Sequence, residues 1–287
     1  MKKVICFFIW WVAVGAFAQP SIPPKVPFHF VNYWWDCKLK NEEFKSFSMQ
    51  IKIEGNISDS DYIYIAPINA TLNKIDFYGG LQTNTGGWKT KVAQKRTWVG
   101  RGGIFSRWAE DGTTPVDIGY ADGELGTLYE SATYEGSFVS VRRKAIWANG
   151  NFRYEIRKLS QQLEPEKFAW YGAYLINEET QVSVEIGRLR FNGENFKLSN
   201  FASFIEAYGI NKNGLPSMKI SLKSPVINDQ PCANTSVYIV YPQNEYEPYT
   251  RYAETYLDDV GVVSLISEKK IDGPKKDVRL YVRKNLK

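Results

Sequence analysis

One histidine, His29, and three cysteines are all that 287 residues hold of the side chains most used for metal binding and thiol chemistry. That scarcity excludes histidine-clustered metal sites, and a Ser/His/Asp triad would have to be built on His29 near the N-terminus. No phosphate-cradling glycine loop stands between a strand pattern and a helix pattern. Charge of either sign is also in short supply as an excess. The formal net charge is +5, too mild to imply nucleic acid, and no nucleic-acid motif is present. Asp59-Ser60-Asp61 and Asp258-Asp259 offer oxygens to a structural calcium ion but do not follow the full calcium-loop spacing. No cofactor is expected beyond that.

Long apolar runs are missing as well, apart from one. Val4–Phe17 follows Lys2 and Lys3 and runs into Ala16-Phe17-Ala18. About 14 residues are too few to cross a bilayer of ~30 Å, and the order of charge, apolar run and small residues is that of a signal peptide cleaved before Gln19. The expectation is export, to a periplasm, a cell surface or the extracellular space, with no transmembrane anchor in the mature chain. Cys6 leaves with the leader. Cys37 and Cys232 remain, and two cysteines in an exported chain suggest one disulfide between distant segments. Asn56, Asn69 and Asn234 begin N-x-S/T triplets, which matter only in a eukaryotic secretory pathway.

Helical signals are thin. Ser160–Phe168 and Phe201–Ala207 could each hold a turn or two, the first despite Pro165. Period-two alternation is plentiful instead. Phe47, Met49, Ile51 and Ile53 alternate with polar residues, as do Val182, Val184 and Ile186, and Val237, Ile239 and Tyr241. Shorter runs at Ile63–Ile65, Phe138–Val141, Phe152–Ile156 and Trp170–Ile176 read the same way. Many short strands between Gly, Asn and Asp clusters predict an all-β fold, an antiparallel β-sandwich of jelly-roll or concanavalin type. The expected organisation is a signal peptide over 1–18, a lead-in over 19–43, the sandwich over 44–213, and a C-terminal β segment over 214–287 that forms a small unit or completes the first. The segment's end reads as a basic hairpin, Val262–Ile266 and Val278–Val282 about Asp272-Gly273. Its lysines protect an edge or, less simply, meet an anionic surface.

Aromatic residues are the surplus: 9 Trp, 18 Tyr and 16 Phe. The most distinctive stretch is Phe77-Tyr78-Gly79-Gly80-Leu81-Gln82-Thr83-Asn84, followed by Gly102-Gly103-Ile104-Phe105-Ser106-Arg107-Trp108. Gln82 and Asn84 stand two apart, so on a strand they would share a face and present amide groups together. With Arg107, Trp108 and Trp88 they make a candidate sugar site, in which an indole stacks on the ring and amides bond its hydroxyls. Core tryptophans and edge-pairing amides are the plainer alternative. Glu135, in Tyr134-Glu135-Gly136, and Glu206, in Phe204-Ile205-Glu206, lie among aromatics whose burial would raise a carboxyl pKa and suit it to acid catalysis. Glycoside hydrolysis needs two carboxyl groups facing one cleft, roughly 5–10 Å apart.

These motifs, in this order and spacing, resemble an uncharacterised family of exported bacterial domains with G-x-Q-x-N, F-S-x-W, E-G and F-x-E elements. The resemblance covers roughly residues 44–209. It implies a β-sandwich and, through association with polysaccharide-handling proteins, a glycan partner, without implying an activity. Two features depart from it: Arg107 stands where an apolar residue is expected, and an insert, Trp88–Arg101, separates the first two elements. The leading expectation is a carbohydrate-binding protein. A glycan-cleaving enzyme using Glu135 and Glu206 is the second, and a surface-assembly protein without a small ligand is the third.

Overall fold

A computed structural model describes residues 27–37, 42–92, 94–163, 165–209, 214–232, 236–242, 250–259, 261–272 and 278–281. The segment read as a signal peptide, Asn234, Gly273 and most of the C-terminal lysines lie outside them. Strands run through the chain in the order β1 (Phe28–Trp35), β2 (Ser46–Gly55), β3 (Ile63–Leu72), β4 (Ile75–Gln82), β5 (Gly86–Trp88), β6 (Arg96–Trp98) and β7 (Gly102–Trp108). There follow β8 (Ala121–Asp122), β9 (Thr127–Ala132), β10 (Phe138–Lys144), β11 (Gly150–Gln162), β12 (Phe168–Asn177), β13 (Ser183–Asn192) and β14 (Leu198–Ala207). The last are β15 (Met218–Leu222), β16 (Val226–Ile227), β17 (Gln230–Pro231), β18 (Ser236–Val240), β19 (Thr250–Leu257), β20 (Val262–Asp272) and β21 (Val278–Tyr281).

They form two antiparallel sheets, neither closed into a barrel. The larger, of 11 strands, has the order β21-β18-β1-β14-β3-β4-β7-β10-β9-β5-β6. The smaller, of 10, runs β19-β20-β15-β2-β11-β12-β13-β8, with β16 and β17 beside β2. This is the expected β-sandwich. On β2 the alternation predicted from sequence is strict, with Phe47, Met49, Ile51 and Ile53 buried between partly exposed neighbours. Aromatic rings close the space between the sheets. Phe191 of β13 meets Phe77 of β4 at 5.8 Å and Phe105 of β7 at 6.2 Å, and Phe47 of β2 meets Phe201 of β14 at 5.6 Å. Burying one such side chain contributes about 1.5–3 kcal/mol.

The paired glycines of β4 have a packing reason. A Cβ at Gly79 would fall 2.2 Å from the hydroxyl of Tyr154, which reaches across from β11 to donate to the Ile104 carbonyl at 2.7 Å. A Cβ at Gly80 would strike the Ile65 carbonyl, where β3 bulges between Ile65 and Ile68. Close backbone approach therefore demands glycine at both positions.

Three expectations change. Phe201–Ala207 is not helical but part of β14, paired with β1 on one side and β3 on the other. Both its faces are largely buried, so its pattern lacks the polar alternate residue that marks a half-buried strand. Ser160–Gln162 continues β11 against β12 instead of starting a helix. The C-terminal hairpin also fails, because β20 pairs with β15 and β19 in the smaller sheet while β21 pairs with β18 in the larger. Local alternation marks a strand but carries no information about which sheet receives it. The segment read as a lead-in contains β1, and β15 and β18 hydrogen-bond to β2 and β1, so the C-terminal strands extend both sheets. Cys37 and Cys232 form the expected disulfide, with Cα atoms 5.3 Å apart and 195 positions between them in sequence. No helix among the described residues is long and apolar enough to cross a membrane.

Candidate functional site

Residues directly opposite one another on antiparallel strands share a face. His29 of β1 stands opposite Glu206 of β14, Glu206 opposite Tyr64 of β3, and Tyr64 opposite Gln82 of β4. These four therefore form one row on the outer face of the larger sheet, the face turned away from the smaller sheet. With strands ~4.8 Å apart, Gln82 and Glu206 are separated by about 10 Å of backbone. Beyond Gln82 the row continues to Gly102, which adds no side chain. A parallel row holds Tyr78, Ser106, Ser140 and Glu130 on β4, β7, β10 and β9. Tyr64, Ala66, Ile104 and Phe204 make an apolar floor beneath, with Tyr78 and Tyr208 packed against it.

Trp108 closes one side. Its ring lies 4.8 Å from Tyr78 and 6.1 Å from Phe138, and its indole N–H donates to the Glu135 carbonyl at 3.0 Å. That bond fixes the loop between β9 and β10 on which Glu135 stands. Burial pushes the Glu135 carboxyl above its ordinary pKa, the charge of Glu206 pushes it further, and Arg142 pulls it back. Tyr78 is likewise raised, by burial first and by Glu135 and Glu206 against the opposing charge of Arg142. Among the described residues, the Glu135 carboxyl has no ion-pair partner.

The other charges nearby are matched. Glu130 is 2% exposed and pairs with both Arg142 and Arg96, while the Tyr134 hydroxyl donates to it at 3.2 Å. Arg142 also donates to Ser140 Oγ at 3.1 Å. On the far side, His29 Nε2 lies 3.0 Å from Glu206 Oε2, its Nδ1 lies 2.7 Å from Asn32 Oδ1, and its ring stacks on Phe204 at 4.6 Å. Burial lowers the imidazole pKa, but the hydrogen bond and charge of Glu206 outweigh it and the net shift is upward.

Of the sequence candidates, Trp108, Glu135 and Glu206 come together on this face: the Trp108 indole donates to the Glu135 carbonyl, and the charge of Glu206 reaches the Glu135 carboxyl. Gln82 shares the face but stands opposite Gly102, about 20 Å of strand from Trp108. Arg107 does not. Neighbours on a strand point to opposite faces, so Arg107 turns inward, 3% exposed, and donates to the carbonyls of Arg190, at 2.7 Å, and Trp108. Its guanidinium lies 5.2 Å from the Phe191 ring, and burial pulls its pKa down to about 10. It staples the two sheets. Asn84 lies in a bend past the end of β4, where the Tyr208 hydroxyl accepts from its backbone N–H at 2.9 Å and donates to its carbonyl at 2.6 Å. Trp88 is buried in β5 opposite Tyr129. Tyr78 joins the site from the distinctive Phe77–Asn84 stretch, while Tyr64, Arg142 and His29 join it without a sequence motif, and only the singularity of His29 could have drawn notice to it. Of the aspartates weighed as calcium ligands, Asp61 accepts from the Ser58 N–H at 2.6 Å, Asp59 pairs with Arg101, and Asp258 accepts from Gly261. No group of three or more His, Cys, Asp or Glu side chains able to hold a metal forms among the described residues.

No protein-family model matches the sequence, and no curated protein matches it. Among solved structures, scytalido-glutamic peptidase bound to a peptide-based transition-state analogue is similar at 13% identity and a TM-score of 0.37, over 83% of this chain and 98% of that one.

Proposed function

We propose that the protein is exported and binds a glycan on the outer face of its larger sheet. The observation that carries this reading is the meeting of Trp108, Glu135 and Glu206 over an aromatic floor. An indole and phenol rings supply apolar surface for a sugar ring, and the carboxyl groups supply partners for its hydroxyls. Isothermal titration against a glycan panel tests it. Saturable binding that weakens roughly tenfold in Trp108→Ala supports the reading, and a folded protein that binds no glycan removes it.

One observation favours a second reading, glycan hydrolysis. Glu135 and Glu206 are close enough for the charge of Glu206 to add to burial in raising the Glu135 pKa, the direction that suits an acid catalyst. In that reading Glu135 is the acid. Release of reducing ends from a bound glycan, lost in both Glu135→Gln and Glu206→Gln, would distinguish an enzyme from a binding protein.

A further inference from the structure

From Phe77 to Ala109 the chain contains no aspartate or glutamate, while it contains Lys89, Lys91, Lys95, Arg96, Arg101 and Arg107. Three of these cations are already accounted for: Arg96 pairs with Glu130, Arg101 with Asp59, and Arg107 is buried between the sheets. Lys89, Lys91 and Lys95 sit on the connection between β5 and β6, and none forms an ion pair among the described residues. Lys91 lies 5.5 Å from the Tyr129 ring, and Lys89 and Lys95 are exposed. This is the insert that parts the two leading motifs.

Beside the lysines stands Trp98, 52% exposed. It pairs with Gly86, where a Cβ would fall 2.5 Å from the indole Cε3, so the ring rests on bare backbone with its other side toward solvent. The Arg96 guanidinium lies 5.5 Å from that ring. A supported, flat indole bordered by unpaired ammonium groups suits a sugar ring that itself carries negative charge. We infer that the β5–β6 hairpin binds an acidic polysaccharide, through its carboxylate or sulfate groups at Lys89, Lys91 and Lys95 and through a sugar face at Trp98. The inference rests on the glycan reading above and narrows its ligand to a polyanion. Arg96 ties the hairpin through Glu130 to Tyr134, next to Glu135, so a chain held there borders the outer-face site.

The test uses polygalacturonate, a neutral dextran and vesicles of phosphatidylcholine with phosphatidylserine. The full mature chain is titrated at low and at physiological salt as wild type, as K89E/K91E/K95E, as W98A and as W108A. The inference expects polygalacturonate to bind in preference to dextran and to vesicles and to weaken with salt. It expects a loss of roughly tenfold or more in the charge-reversed variant and a smaller loss in W98A. Equal binding of dextran, equal binding of the vesicles, or polygalacturonate binding unchanged in the charge-reversed variant overturns it. W108A separates the two readings. Polygalacturonate binding that depends on the lysines but not on Trp108 leaves the hairpin inference standing and removes the outer-face site, and the reverse dependence does the opposite. The substituted lysines make no ion pair that folding depends on, and matching thermal melts confirm that the variants are folded.

Discussion

The two outer faces of the sandwich handle charge in opposite ways. On the smaller sheet several carboxylates are matched by cations on the same or the neighbouring strand. Glu54 meets Lys52 and Lys219, Glu155 meets Arg153 and Arg157, and Glu185 meets Arg188. A groove there, about 300 Å³ and lined by residues including Gln50, Lys52 and Glu178, has lining residues that hydrogen-bond one another, as Gln50 Nε2 donates to Glu178 at 3.0 Å. On the larger sheet Glu130 is neutralised in the same manner, but Glu135 is held near Glu206 at a raised pKa with no cation of its own. A solvated sheet face has no need of that arrangement, and a carboxyl group with a raised pKa and no cation beside it supports the proposal that this face holds the ligand site.

Four experiments break or sharpen the contrast. The largest effect belongs to the disulfide, which joins the end of β1 in the larger sheet to the segment after β17 in the smaller. Replacing both cysteines by serine frees a loop of nearly 200 residues and is expected to cost about 5 kcal/mol on the chain-entropy model. Urea unfolding should show both faces weakening together. Next, Arg142→Met leaves the buried Glu130 with only its more exposed partner, and a loss of about 3–5 kcal/mol is expected. The matching change on the smaller sheet, Arg153→Met, should cost under about 1 kcal/mol because Arg153 is partly solvated and Arg157 still meets Glu155. Equal losses at the two positions would erase the distinction between the faces.

The third concerns tryptophan. Trp108→Ala should weaken glycan affinity roughly tenfold, whereas Trp170→Ala, in β12 of the smaller sheet, should leave it within about twofold. The smallest effects are in pH. The raised Glu135 pKa means its contribution is fully present below the ordinary carboxyl range and is lost as pH rises through the raised value. Glu135→Gln should therefore be the more stable protein at neutral pH. Glu54 is lowered, first by the hydrogen bond from Lys52, so its contribution is present above the ordinary range and is lost as pH falls. Glu54→Gln should be less stable at neutral pH. Melting curves should show shifts of opposite sign, each within about 2 °C.

Much of this was legible along the chain. Alternation located β2, β13 and β18, because one side of each strand meets a core and the other does not. Gln82, Trp108, Glu135 and Glu206 stood out as polar or amphipathic groups among aromatics; they share one face, on which Trp108, Glu135 and Glu206 are neighbours and Gln82 stands apart. Arg107 was misplaced for a simple geometric reason: it neighbours Trp108, and adjacent residues on a strand cannot serve the same face. Asn84 was assigned to the strand of Gln82, but β4 ends at Gln82. Tyr64 and His29 were out of reach, since each joins the site through pairing between strands far apart in sequence.

By itself the sequence determined an all-β chain with a leader-like start, a single expected disulfide, and a surplus of aromatic rings with little metal or thiol chemistry. Those properties follow from composition and short-range periodicity, which depend on residues a few positions apart. Only the tertiary structure decided that β20 and β21 enter different sheets, that Arg107 faces inward, and that His29, Glu206, Tyr64 and Gln82 fall in one row. Each of those outcomes depends on register between strands up to more than a hundred residues apart, and register is fixed by burial over the whole sandwich, not by any local pattern.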